Sequence, residues 1–147
     1  MKETEKIEIM HFSQEGYLED GKNVYETGKK MIELADKVAD EGYDAVFLMG
    51  VGGTWDELMQ LEYLMNKFGD RDLEVYLIHA AEWNAMGHKR MTEKSVVLTA
   101  SESGTTPEVL EAVKKMKGMG VRVYAMTKPE GPIGQAVGAE NCVAMAS

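Results

Sequence analysis

Cysteine is nearly absent. Cys142 is the one thiol in 147 residues, which excludes an internal disulfide and a multi-cysteine zinc site. Positive charge is in deficit, with 16 Lys and Arg against 25 Asp and Glu and a formal net charge of -9. A field of that sign repels phosphate backbones, so nucleic acid is not an expected partner. No apolar run approaches the length of a membrane span. The opening Met1-Lys-Glu-Thr-Glu-Lys6 is charged and lacks the apolar h-region of a signal peptide, so the cytoplasm is the expected location. His11, His79 and His88 are scattered, without H-x-x-x-H or H-E-x-x-H spacing, and no metal site is expected. No Gly-Lys-Ser/Thr occurs, so there is no Walker A loop. Internal repeats and low-complexity segments are also missing.

What is present is an ordinary globular composition, 44% apolar and 28% charged, in a length that suits one domain. Residues 1–22 read as an irregular polar arm and 23–147 as a single domain. A helix is predicted from Asn23, as N-cap, to Glu41, with Val24, Met31, Ile32, Ala35, Val38 and Ala39 as its apolar stripe. The period then changes. Asp44–Gly50 is a continuous apolar run that ends in glycines, the pattern of a buried parallel strand. Further strands are predicted at Glu74–Ile78, Ser95–Ala100, Val121–Met126 and Asn141–Met145. Helices are predicted between them at Trp55–Phe68, Ala80–Met86, Thr106–Lys117 and Ile133–Val137. Alternation of this kind implies an α/β fold, a doubly wound five-stranded parallel sheet with helices on both faces. Ligands of such sheets sit beyond the carboxyl ends of the strands.

The loop after the third strand, Ser101-Glu-Ser-Gly-Thr-Thr-Pro-Glu108, is the most informative. Thr106 suits an N-cap and Pro107 the first helical position. The helix therefore presents free N–H groups and the positive end of its dipole to the loop. Gly104 permits a tight turn and close approach of the backbone. Ser101, Ser103, Thr105 and Thr106 add hydroxyls. Together these make a cradle for a phosphate dianion without any Lys or Arg in the loop. An ordinary capped turn uses the same residue types, but here strand, glycine, hydroxyls, cap and proline fall in register.

The loop after the first strand is Gly50-Val-Gly-Gly-Thr-Trp-Asp-Glu57. Thr54 and Glu57 fit a capping box. Gly52 and Gly53 let the chain pass close to a ligand or simply turn tightly. Gly50 and Gly52 match the start of G-x-G-x-x-G, but Trp55 stands where the third glycine belongs. The second strand ends in Ile78-His79 without an acidic ribose ligand, which argues against a dinucleotide.

At these two loops the sequence resembles the SIS (sugar isomerase) family of phosphosugar isomerases and binders. The family motif Ser-x-Ser-Gly-x-Thr-x-Glu is matched by Ser101, Ser103, Gly104, Thr106 and Glu108. The likeness covers about residues 24–146. It is closer to the first domain of two-SIS enzymes, the glucosamine-6-phosphate synthase isomerase unit and the fructosamine-phosphate deglycases. Ala81-Glu82-Trp83-Asn84 is similar to their segment after the second strand. The resemblance implies that Ser101, Ser103, Gly104, Thr105 and Thr106 hold phosphate, with Gly52, Gly53, Thr54 and Glu102 near the sugar. It implies a phosphorylated sugar or amino sugar as ligand, no cofactor, and pairing as a homodimer or with a second SIS domain. In two-SIS enzymes that second domain supplies the catalytic glutamate and histidine. This sequence stops at its fifth strand, so negligible turnover is expected from the chain alone.

Among other candidates, Glu82 and Glu102 stand at strand ends and are the acid/base candidates for moving a proton between C1 and C2 of a sugar. Phosphate beside Glu102 would repel its carboxylate, and accepting a hydrogen bond from a sugar hydroxyl is its preferred role. Glu108 complements the helix dipole. Trp55 and Trp83 either flank a sugar ring or pack, and His88-Lys89-Arg90 reads as a solvated loop. Three functions fit: half of a sugar-phosphate isomerase or deglycase, a sugar-phosphate sensor, or a structural module with a vestigial loop.

Overall fold

The computed structural model describes residues 13–70 and 72–144. Five parallel strands, β1 (Val46–Gly50), β2 (Val75–His79), β3 (Val96–Ser101), β4 (Arg122–Thr127) and β5 (Cys142–Val143), lie in the order β2-β1-β3-β4-β5. This is the flavodoxin-like doubly wound arrangement. The α/β sheet expected from the sequence is therefore present.

The strand β1 reads as an unbroken apolar run because both its faces are covered. Every residue of β1 is buried, and successive side chains enter opposite cores. Phe47 and Met49 join Val97, Val109, Val113, Met116 and Ile133 on one side. Val46 and Leu48 join Leu58 and Val75 on the other. Full burial of side chains of this size stabilises the fold by about 1.5–3 kcal/mol each. The first core is roofed by α3 (Ala80–Met86), α4 (Pro107–Gly118) and α5 (Pro132–Val137). The second is roofed by α2 (Gly53–Phe68).

The first helix departs from the sequence reading. It is α1, Gln14–Glu41, with Ser13 as N-cap, whose hydroxyl accepts the Gly16 N–H at 2.9 Å. The supposed irregular arm is thus helical from residue 14, and residues 1–12 lie outside the described part. None of α1 is buried. Met31, Leu34 and Val38 lean on the sheet and leave a groove against Val46, Leu98 and Tyr124. Val24 and Ile32 of the expected stripe point to solvent, at 60% and 65% exposure. They fall on the far side because the apolar positions of this helix are spread around more than one face.

At the other end, β5 is only two residues long and follows a 3-10 turn at Ala139–Asn141. The strand predicted over Asn141–Met145 is therefore shorter, and Met145 lies outside the described residues. Beneath the sheet, Asp44 ties the start of β1 to the segment before β3 by accepting from Thr92 Oγ1 (2.7 Å) and Ser95 Oγ (2.9 Å). Partial burial pushes its pKa up, but these hydroxyls and nearby backbone N–H groups outweigh that and hold it below the usual carboxylate value.

Candidate functional site

The strand order changes direction between β1 and β3. From β1 the chain leaves to α2 on one face, and from β3 it leaves to α4 on the other. The two glycine-bearing loops therefore diverge above the junction of β1 and β3, the switch point beyond which ligands of such sheets bind.

On the β1 side, Gly50 is pressed against the start of α2. A Cβ there would stand 2.7 Å from Trp55 N and 2.9 Å from Trp55 Cα. Gly52 takes φ +59 and is the N-cap, with no side-chain cap bond. The helix thus begins at Gly53, and the predicted Thr54–Glu57 capping box does not form. Thr54 lies inside the first turn, where Oγ1 donates to Val51 O (3.0 Å) and accepts from Val51 N (3.3 Å). The close approach required at Gly50 moves the helix start ahead of Thr54.

On the β3 side, Ser101 is 3% exposed. Its Oγ accepts the Gly104 N–H at 3.2 Å and lies 3.1 Å from Thr106 Oγ1. Gly104 is buried, with φ +69. Ser103 and Thr105 are exposed and joined to each other, Ser103 Oγ accepting from Thr105 N (3.2 Å) and Thr105 Oγ1 (3.1 Å). Thr106 is the N-cap and Pro107 the first residue of α4, as the sequence suggests, yet Thr106 makes no side-chain cap bond. Its hydroxyl is engaged with Ser101 instead. Both α2 and α4, which leave from this switch point, thus begin without a side-chain cap and point the positive ends of their dipoles toward it.

Glu102 is exposed at the mouth of this loop and Glu108 is exposed in the first turn of α4. Glu82 sits elsewhere. It lines a notch beside the edge strand β2 with Tyr76, His79, Trp83 and His88. Among the described residues no hydrogen bond or ion pair joins Glu82 to Ser101–Thr106. His88 is not the solvated residue expected. It is half-buried, 5.1 Å from the Phe47 ring and 4.8 Å from the Tyr76 ring between centroids. Trp83, 6% exposed, packs in the core. Trp55 is half-buried, 6.5 Å from the His79 ring.

The sequence reading missed the support behind the loop. Thr127 at the end of β4 donates from Oγ1 to Ser101 O at 2.7 Å, and Ile133 N donates to Gly104 O at 3.0 Å. Asn84 Nδ2 donates to Glu108 O at 2.8 Å and fastens α3 to the start of α4. Nothing local to Gly131-Pro-Ile-Gly134 in the sequence indicates that it folds onto Gly104.

The fold and the two loops are similar to those of phosphosugar isomerase domains, the likeness the motif suggested. The chain is 32% identical over 93 residues to the fructosamine deglycase FrlB of Bacillus subtilis (strain 168), covering 63% of this chain and 28% of that protein. It is 24% identical over 139 residues to a glutamine–fructose-6-phosphate aminotransferase [isomerizing] of Pyrococcus horikoshii, covering 93% and 23%. The chain thus spans about a quarter of the length of these curated relatives. A Bacillus subtilis structure assigned to the phosphosugar isomerases superposes with TM-score 0.68 at 28% identity, over 76% of this chain and 34% of that one. The NanR protein of Vibrio vulnificus, complexed with ManNAc-6P, shares the fold at TM-score 0.69 and 19% identity, over 87% and 48%. No protein-family model matches the chain.

Proposed function

We propose that this chain is the sugar-phosphate-binding unit of a phosphosugar isomerase or fructosamine-6-phosphate deglycase. The observation that carries the reading is the pair of uncapped helix starts at the switch point, the one at α4 ringed by hydroxyls. Thr106 is of the right type to cap α4 but is drawn away by Ser101. The amides at the start of the helix are left for a ligand, and a phosphate dianion satisfies several donors at once. In this arrangement Ser101 holds the shape of the loop from within, its hydroxyl taking the Gly104 N–H, while Ser103, Thr105 and Thr106 face the phosphoryl group. Gly52, Gly53 and Thr54 border the sugar from the opposite lip, and Glu102 at the mouth accepts from a sugar hydroxyl. Likeness to a deglycase and to an isomerizing aminotransferase favours substrates of the phosphorylated ketose or amino-sugar type. Because the chain spans only part of these proteins, the proton transfer itself is assigned to groups outside it.

The test is calorimetric titration with fructose 6-phosphate, 6-phosphogluconate and inorganic phosphate. At least one phosphosugar is expected to bind with sub-millimolar Kd, and Ser103→Ala to weaken it about tenfold. Absence of any sub-millimolar binding would sink the site assignment.

A sensor that binds sugar phosphate without turning it over is the second reading, favoured by the likeness to NanR. Both readings place the protein in the cytoplasm. Among the described residues no helix is long and apolar enough to cross a membrane.

Both also call for a partner, either a second copy or another SIS domain. Tyr17, Leu18, Val24, Tyr25 and Ile32 of α1 are exposed, as are Tyr63, Leu64 and Phe68 of α2. An apolar surface of this kind favours association. Light scattering is expected to give a dimer for the chain alone; a clean monomer would assign that surface to a different domain.

A further inference from the structure

We infer that Thr127 is a positioning residue for the anion loop, acting from β4 rather than from the loop itself. The inference rests on the phosphate reading of Ser101–Thr106. Thr127 is fully buried, and its hydroxyl donates to Ser101 O at 2.7 Å. That carbonyl is where the strand gives way to the loop, because Ser101 is the last residue of β3. Ser101 and Thr127 are register partners, so the hydroxyl bridges the final rung of the ladder.

Two further contacts come from the same segment. Ile133 N donates to Gly104 O at 3.0 Å. Gly131 lies so near the turn that a Cβ on it would stand 3.1 Å from Gly104 O and 3.3 Å from Gly104 Cα. A Cβ on Gly104 would in turn meet Thr127 Oγ1 at 3.3 Å. The segment from Thr127 to Ile133 therefore holds the loop at both its first residue and its left-handed turn. Amides bind an oxyanion only when several of them converge, so a loop built from backbone donors needs a rigid backing. Thr127 supplies it while touching no ligand.

The fold contains its own control. Thr99 is also fully buried, and its hydroxyl donates to a backbone carbonyl, Met49 O, at 2.9 Å. It lies on β3 two residues before the loop begins and makes no hydrogen bond to it. The two threonines thus match in burial and bond type and differ in what they hold.

The experiment measures Kd for fructose 6-phosphate and inorganic phosphate by calorimetry in the full chain and in Thr127→Val, Thr127→Ser and Thr99→Val. The Gly104 amide resonance is followed by NMR in each. Thr127→Val is expected to weaken binding about tenfold or more and to shift the Gly104 amide. Thr127→Ser, which restores the donor, is expected to return both to near wild type. Thr99→Val is expected to lower stability and leave Kd unchanged. If Thr127→Val does not fold, Gly131→Ala, which presses on the Gly104 carbonyl, gives the same readout. Wild-type affinity in Thr127→Val or, failing that, Gly131→Ala, overturns the inference and leaves the phosphate reading standing. Equal weakening in Thr99→Val overturns it as well, since burial alone would then explain the loss. No binding by the wild type overturns both readings together.

Discussion

Alanine at position 104 is expected to weaken phosphosugar binding about ten- to a hundredfold and to lower stability by about 1–2 kcal/mol. Gly104 sits at φ +69, where any L side chain is strained. Space is short as well. The new Cβ would lie 3.3 Å from Thr127 Oγ1 and 3.6 Å from both Gly131 Cα and Lys128 Cβ. Thr127 cannot yield without releasing Ser101 O, and Gly131 is held by its own N–H bond to Lys128 O at 3.0 Å. The loop must move instead. Movement breaks the bond from Gly104 N to Ser101 Oγ, frees that hydroxyl, and changes the contact between Ser101 and Thr106. Thr106 is then able to cap α4 as its position invites, closing the amides that a phosphate would use. The stability change is modest because the strain is local, while the binding change is larger because it removes a set of donors at once. Calorimetry and a urea melt measure the two separately. Undiminished affinity in a folded Gly104→Ala protein would mean that the turn does not shape the site.

The strands were legible because β1 and β3 lie inside the sheet with both faces covered, so Val46–Gly50 is an uninterrupted apolar run and Val96–Ala100 is broken only by Thr99. The loops beyond them were legible because glycine, hydroxyl and proline each impose a local constraint at a strand-to-helix junction. Capping was legible only in part. Thr106 stands at the cap position the sequence assigns, but the destination of its hydroxyl depends on Ser101, five residues away and on the strand. The pattern Thr54-x-x-Glu57 matched a capping box by spacing, yet the helix starts earlier because Gly50 must nest against the backbone of Trp55. The start of α1 was missed because residues 1–22 read as a polar arm, although the helix runs from Gln14 through Gly16 and Gly21 behind a Ser13 cap. His88 looked solvated beside Lys89 and Arg90, and only the tertiary fold brings Phe47 and Tyr76 onto its ring. Least visible of all was the backing of the loop, since it joins residues of β4 and α5 to Ser101 and Gly104 across the sheet.

That backing makes Gly134 the position where helix propensity and tertiary packing disagree most. Gly134 lies in α5, where alanine would be favoured by about 1 kcal/mol on propensity alone. It is buried, and a Cβ there would overlap Lys128 O, stand 2.6 Å from Pro129 O and reach 2.7 Å from Pro129 Cα. These are backbone atoms, and the ring of Pro129 fixes its own φ. No rotamer relieves the overlap, so α5 must lift. Lifting drags Ile133, which is fully buried, out of the core shared with Phe47, Val97 and Val113. It also stretches the bond from Ile133 N to Gly104 O. Overpacking against rigid backbone exceeds the propensity gain, and Gly134→Ala is expected to lose about 2 kcal/mol in a urea melt. Phosphosugar affinity is expected to fall with it, because the turn at Gly104 loses one of its holds. A gain in stability instead would mean that α5 is not seated against the 128–129 backbone, and the buttress behind the anion loop would have to be abandoned.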